Sequence, residues 1–208
     1  MRNILYVTSS PRGGDSYSNR VAARVLDELK QAHPHATVAV RDVASDPLPH
    51  VDEDFLVAIR APEGPRTPRQ QAIVERSDAL IDELLAADVI VIAAPMYNFG
   101  IPTTLKAWID YIARAGRTFR YSEKGPEGLV KGKKVILIHS RGGIYSNGPA
   151  QALDYQGTYL RSVLGFLGIT DVESIDVEGI AYGPEAAEQA VTGGIARGRA
   201  LVDTLVAA

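Results

Sequence analysis

Cysteine is absent from the 208 residues, which at once excludes disulfide scaffolds, Cys-ligated zinc, iron–sulfur clusters and a thiol nucleophile. A positive excess is absent too. The 22 Lys+Arg stand against 25 Asp+Glu, a net charge of −3, and no basic run occurs, so an electrostatic grip on nucleic acid is not expected. No apolar run approaches the roughly 20 residues of a membrane helix. Ile4 to Val7, after Arg2, is too short for the core of an export signal and leads into a polar loop, so it is expected to form a first strand in a protein that resides in the cytoplasm. No Gly-x-Gly-x-x-Gly and no Walker A sequence is present, which removes the usual signatures of dinucleotide and nucleoside triphosphate sites. What remains is an ordinary composition, 46% hydrophobic, that suits one domain spanning residues 1–208 around a single core.

Strands and helices are expected to alternate along the whole chain. Residues 3–8, 37–41, 88–94, 133–140 and 171–177 read as five strands. Residues 18–32, 68–86, 102–115, 149–167 and 184–206 read as helices, the first through Val21, Val25, Leu26 and Leu29 on one stripe. The first, third and fourth strands are continuously apolar, as strands covered on both faces should be, whereas the second and fifth carry Arg41, Glu173, Ser174 and Asp176. That distribution predicts an α/β sandwich, a five-stranded parallel sheet of flavodoxin-like order 2-1-3-4-5 with helices on both faces. Two connections exceed the usual two to six residues or so. Residues 42–67 are rich in proline and include Asp52, Glu53 and Asp54, and residues 116–132 read as a small hairpin or excursion.

In such a sheet ligands bind beyond the carboxyl ends of the strands, where the first and third strands part. The loop after the first strand holds Ser9, Ser10, Gly13, Gly14, Asp15, Ser16, Tyr17 and Ser18 ahead of a helix. Hydroxyls and freed amides at a helix start make an anion site, although a serine there also serves as a plain helix cap. The third strand runs into Pro95, Met96, Tyr97, Asn98 and Phe99, where two aromatics bracket an asparagine and a planar ligand is a plausible tenant. The fourth strand ends in Ser140, Arg141, Gly142 and Gly143, where paired glycines permit close backbone approach.

Taken together these segments resemble the bacterial azoreductases, FMN-dependent NADH:quinone and azo-compound oxidoreductases of flavodoxin-like fold. The resemblance is carried by Ser9 and Ser10 with Ser16 to Asn19, Ala93 to Phe99, Ala113 to Gly116 with Thr118 to Tyr121, Gly125 to Leu129, Ser140 to Gly143 and Glu178 to Gly183. It implies that Ser10, Ser16, Tyr17 and Ser18 hold the FMN phosphate, that Pro95 to Phe99 line the isoalloxazine, and that Ser140, Arg141, Gly142 and Gly143 border its other side. It also implies tightly bound FMN, NADH as donor, quinones and azo compounds as acceptors in a ping-pong mechanism, and a homodimer. Arg60, Phe119 and Tyr121 are then expected to shape the substrate pocket. No metal and no protein-derived catalytic group is implied, because the hydride chemistry belongs to the flavin. One departure concerns Asp15, which beside a phosphate is unfavourable unless it points to solvent.

Two rivals have sequence features of their own. Gly14-Asp15-Ser16 is similar to the nucleophile motif of one hydrolase group, but that chemistry needs a histidine near the C-terminus and none follows His139. A non-enzymatic flavin-binding electron carrier or redox-sensing partner is the alternative from another class. Carriers dock through a strongly charged face and lack such long loops.

Overall fold

The computed structural model describes residues 1–60 and 64–207; the stretch 61–63 of the first long connection lies outside the described residues. Five parallel strands, β1 (Asn3–Thr8), β2 (Thr37–Asp42), β3 (Val89–Pro95), β6 (Lys134–Ser140) and β7 (Asp171–Val177), form one sheet in the order β2-β1-β3-β6-β7. Between β3 and β6, β4 (Phe119–Ser122) and β5 (Gly125–Gly128) form a separate antiparallel hairpin within residues 116–132. The expected strand order holds, and the polar strands β2 and β7 are its edges.

Alternation along the central strands divides the core in two, since successive side chains leave a strand on opposite faces. Ile4, Val89, Val91, Ala93, Ile136 and Ile138 pack toward α1 (Tyr17–Ala32) and α6 (Pro184–Ala207). Leu5, Val7, Ile90, Ile92, Ala94, Val135 and Leu137 pack toward α3 (Pro68–Ala86), α4 (Thr103–Ile112) and α5 (Tyr155–Leu167). Both stacks end in alanine, Ala93 and Ala94, at the carboxyl edge, where the side chains shorten.

One additional helix and two boundaries shifted by more than a residue depart from the sequence pattern, each for a local reason. An additional helix, α2 (Glu53–Arg60), occupies part of residues 42–67; its Asp52 accepts from the Phe55 amide at 2.9 Å, and Phe55 packs on Tyr111 at 4.8 Å between ring centroids. Helix α4 stops at Ile112 rather than Ala115 because the Thr118 hydroxyl donates to the Ile112 carbonyl at 2.6 Å and accepts from the Arg114 amide at 3.0 Å, with Gly116 turning at φ +81°. Helix α5 begins at Tyr155 instead of Pro149, because the Asp154 carboxylate caps it by accepting from the Gly157 amide at 2.8 Å.

The hairpin is fixed to the opposite end of α5. The Val130 amide donates to the Leu167 carbonyl at 2.9 Å, and Gly128 lies so close to Gly168 that a Cβ on it meets the Gly168 nitrogen at 2.2 Å. Leu167 and Gly168 precede β7, so the hairpin sits at the amino edge of the sheet, with Phe119 against Phe166 at 4.6 Å. The loops that follow β1, β3 and β6 lie at the other edge.

Candidate functional site

The loop after β1 is held open by its own polar side chains. Asn19 accepts from the Thr8 hydroxyl and donates to the Gly13 carbonyl, both at 2.8 Å, which draws the single helical turn Gly13–Asp15 back against the head of α1. Ser16 occupies the cap position of α1 in extended conformation but makes no capping bond. Its hydroxyl lies 3.0 Å from that of Ser18 instead. Ser10, Ser16 and Ser18 are all buried, and the amides of Tyr17, Ser18 and Asn19 are the unmatched donors every helix start leaves. Hydroxyls, free amides and the helix dipole thus converge without a buried cation, a donor set suited to a phosphate monoester. Asp15 is exposed, which meets the condition its charge imposes. Arg12 and Arg20 stand over the Tyr17 ring at 5.4 and 5.8 Å, Arg20 already paired with Glu188 at 2.7 Å.

The loop after β3 stores strain. Tyr97 and Gly100 exchange both backbone hydrogen bonds at 3.0 Å, so Asn98 and Phe99 form the centre of a two-residue turn with φ of 48° and 70°. Such a turn requires left-handed backbone at both central positions; asparagine adopts it readily, while for phenylalanine it costs about 1–2 kcal/mol. Strain of that kind concentrates where function fixes the geometry. The turn leaves Tyr97 and Phe99 more than two-fifths exposed at 43% and 42%, with Phe99 edge-on to Tyr145 at 6.2 Å. A cleft of about 300 Å³ runs between this turn and the first loop, lined by Ser9, Pro11, Tyr97, Asn98, Ile101 and Thr104 among others. It sits where β1 and β3, adjacent in the sheet, send their chains to opposite faces, the switch point at which open α/β sheets bind ligands.

The third loop is tied to both neighbours. Met96 donates its amide to the Ser140 carbonyl at 2.8 Å, and the carbonyls of Arg141, Gly142 and Gly143 accept from Ile180, Ala181 and Gly179 at 3.3, 3.0 and 3.1 Å. With the carbonyls so engaged, the amides of Gly142 and Gly143 have no acceptor among the described residues. The Arg141 side chain turns away from this edge into the interior, where it is 1% exposed. Beside it lies His139, also buried. Burial pushes the His139 imidazole below its ordinary value, with the Arg141 charge adding to the fall and Asp176 opposing it. For Asp176 burial alone favours the neutral acid, but the hydrogen bond shared with His139 and the charge of Arg141 prevail and hold the carboxyl below its usual range.

The residues singled out in the sequence therefore separate into two groups. Ser10, Ser16, Tyr17, Ser18, the stretch Pro95 to Phe99 and the backbone of Ser140 to Gly143 gather at the carboxyl edge. Phe119 and the 75% exposed Tyr121 lie on the hairpin at the amino edge, and Arg60 ends α2 on the surface. Asn19, the pin of the first loop, belongs to the segment singled out after the first strand, but no role could be read for it because a helical polar residue looks like part of a solvated face. Glu178, singled out only within the resembling segment Glu178 to Gly183, reads by itself as an ordinary strand-end carboxylate.

A five-stranded parallel sheet with a hydroxyl-rich first loop and an aromatic turn at its switch point defines a flavodoxin-like protein suited to a flavin mononucleotide. Comparison with known proteins agrees. A family described as having a flavodoxin-like fold matches residues 2–201. An FMN-dependent NADH:quinone oxidoreductase of Mesorhizobium japonicum is 50% identical over 205 residues, 99% of this chain and 96% of that protein. One from Rhizobium etli is 53% identical over 191 residues, 92% of this chain and 93% of the relative. Among solved structures, an azoreductase from Bacillus anthracis str. Sterne superposes with a TM-score of 0.90 at 33% identity, covering 98% of this chain and 100% of that one. An FMN-dependent NADH-azoreductase from Bacillus anthracis str. Ames Ancestor in complex with FMN gives 0.91 at 27% identity, covering 99% and 100%. The chain belongs to the FMN-dependent NADH:quinone oxidoreductase and azoreductase family.

Proposed function

We propose that this chain is a single-domain, cytoplasmic FMN-dependent oxidoreductase that passes two electrons from NADH to quinones and azo compounds, working as a homodimer. The observation that carries the reading is the head of α1, where buried Ser16 spends its hydroxyl on buried Ser18 instead of capping the helix and the first three amides have no acceptor among the described residues. Bound FMN supplies the hydride acceptance and two-electron transfer that the side chains of this chain lack.

The chain's own residues bind, orient and exclude water. Ser10, Ser16 and Ser18 with the α1 amides would hold the phosphate, and the dipole of α1 favours its charge. Tyr97, Asn98 and Phe99 would pack against one side of the ring and the Gly142 and Gly143 amides would meet its heteroatoms, donors set in place before charge develops. One aromatic-walled position serves both donor and acceptor in turn, hence ping-pong kinetics.

The position of the hairpin supports the dimer if Phe119 and Tyr121 line the pocket. Phe119 and Tyr121 sit at the amino edge of their own sheet, so they reach a pocket at the carboxyl edge only across a subunit boundary. The exposed apolar side chains Leu56 and Val57 on α2 and Tyr121 on the hairpin supply surface for that boundary. No helix among the described residues is long and apolar enough to cross a membrane, and NADH as donor supports a reaction inside the cell.

Two measurements test the reading. Purified protein titrated with FMN should bind it and turn yellow; a colourless protein that takes up none ends the proposal. Double-reciprocal plots with NADH and menadione should be parallel, and intersecting lines would remove the shared position.

A further inference from the structure

Beneath the third loop lies a cluster of ionised groups that the reaction does not consume. The Arg141 guanidinium meets Glu178 at 2.9 Å, Asp154 at 3.0 Å and Asp176 at 3.2 Å, and its Nε donates to the Gln156 side-chain oxygen at 2.9 Å. Gln156 in turn donates to the Ala94 carbonyl in β3 at 3.0 Å. Glu178 accepts from the amides of Tyr145 and Ser146 at 2.8 and 3.0 Å. One side chain thus joins the end of β3, the start of α5, the end of β7 and the segment beyond the glycines. Room for it depends on Gly157, where a Cβ meets Asp154 Oδ2 at 2.8 Å and Arg141 Nη2 at 3.2 Å.

Burying one cation among three carboxylates is a poor route to stability, because desolvation offsets the attraction and an apolar replacement often does as well. What the cluster does provide is a fixed position for the backbone above it. We propose that Arg141 is a positioning residue: held by Asp154, Asp176, Glu178 and Gln156, it fixes the loop so that the Gly142 and Gly143 amides face the flavin ring. This rests on the proposed function, and it moves the arginine from the ligand's border to the support below it. The loop carbonyls bonded to residues 179–181 set the direction of the amides; the guanidinium prevents the loop from lifting off that turn.

The test uses Arg141→Met, Arg141→Lys and Gln156→Leu, with two readouts besides turnover. Hydrogen exchange of the FMN-free protein over residues 140–145 should accelerate at least tenfold in the Met variant and less in the Lys variant, with helix α1 unchanged. The two-electron midpoint potential of bound FMN should fall in the Met variant by the equivalent of about a tenfold loss of preference for the reduced form, about 30 mV, and recover partly with Lys. Wild-type exchange and potential in the Met variant overturn the proposal. Should that variant fail to fold, Gln156→Leu, which removes one neutral link and leaves the charges paired, carries the same readouts, and unchanged values there overturn it equally. Wild-type protein that takes up no FMN ends the proposed function instead, while exchange at residues 140–145 still decides the role of Arg141 in the loop.

Discussion

Replacing Ser16 and Ser18 together by alanine separates a phosphate site from a helix cap. If Ser16 capped α1, its loss would cost about 1 kcal/mol, which for a chain of this size lowers Tm by about 2–4 °C. In the structure Ser16 makes no capping bond and its hydroxyl is spent on Ser18 at 3.0 Å. The double variant forfeits that one neutral bond, about 0.5–1.5 kcal/mol, while relieving the burial of two hydroxyls, so the FMN-free protein should unfold within about 1 kcal/mol of wild type. Binding should respond far more. Hydrogen bonds to a charged group contribute about 1.5–3 kcal/mol each, and two of them correspond to a loss of FMN affinity on the order of 10²–10⁴-fold. Fluorescence titration gives the affinity and urea unfolding of the FMN-free protein gives the stability. Unchanged FMN affinity, whatever the change in stability, would refute the assignment of these serines to phosphate.

Phe99→Gly should relieve about 1–2 kcal/mol of left-handed backbone strain and give up a ring contact with Tyr145 of about 0.5–1.5 kcal/mol; urea unfolding of the FMN-free protein should barely change, while FMN is lost more readily on dialysis. Gly157→Ala should destabilise by about 1–3 kcal/mol, since its methyl group presses on Asp154 and Arg141, and wild-type urea stability would show that the cluster has slack. The folded His139 ring titrates below its ordinary 6.5, so the unfolded chain takes up that proton first. Stability present above pH 6.5 or so therefore declines as pH falls through that value toward the folded one, and His139→Asn should flatten this limb in urea unfolding followed from pH 8 to pH 5. Asp176, held below its ordinary 3.8, contributes a further loss in stronger acid, of the same sign.

Periodicity and strand polarity carried the sheet order, because Arg41 and Glu173 are tolerated only where one edge meets solvent. They missed α2, whose eight residues are too few to be helical on their own and depend on Phe55 meeting Tyr111, a contact 56 positions away in the chain and invisible to any local window. The three ligand loops were legible because each follows a strand, so topology alone gathers them. The direction of a side chain within such a loop is not local information. Arg141 turns inward because Asp154, Asp176 and Glu178 converge there from the start of α5 and the end of β7, and acids at the end of an already polar edge strand give no local sign of it. The hairpin was recognisable from Gly125, Pro126 and Gly128, but its attachment to the far end of α5 depends on two glycines 40 positions apart meeting backbone to backbone.

That glycine-on-glycine joint gives the hairpin a rigid shoulder and a free tip. Its turn at Glu123 and Lys124 is exposed beyond the last paired residues Ser122 and Gly125, so residues inserted there should leave the single chain folded while obstructing the proposed approach of a second copy to Tyr121. The same few positions thus offer a handle by which folding and assembly can be taken apart, one changed at will and the other left as it is.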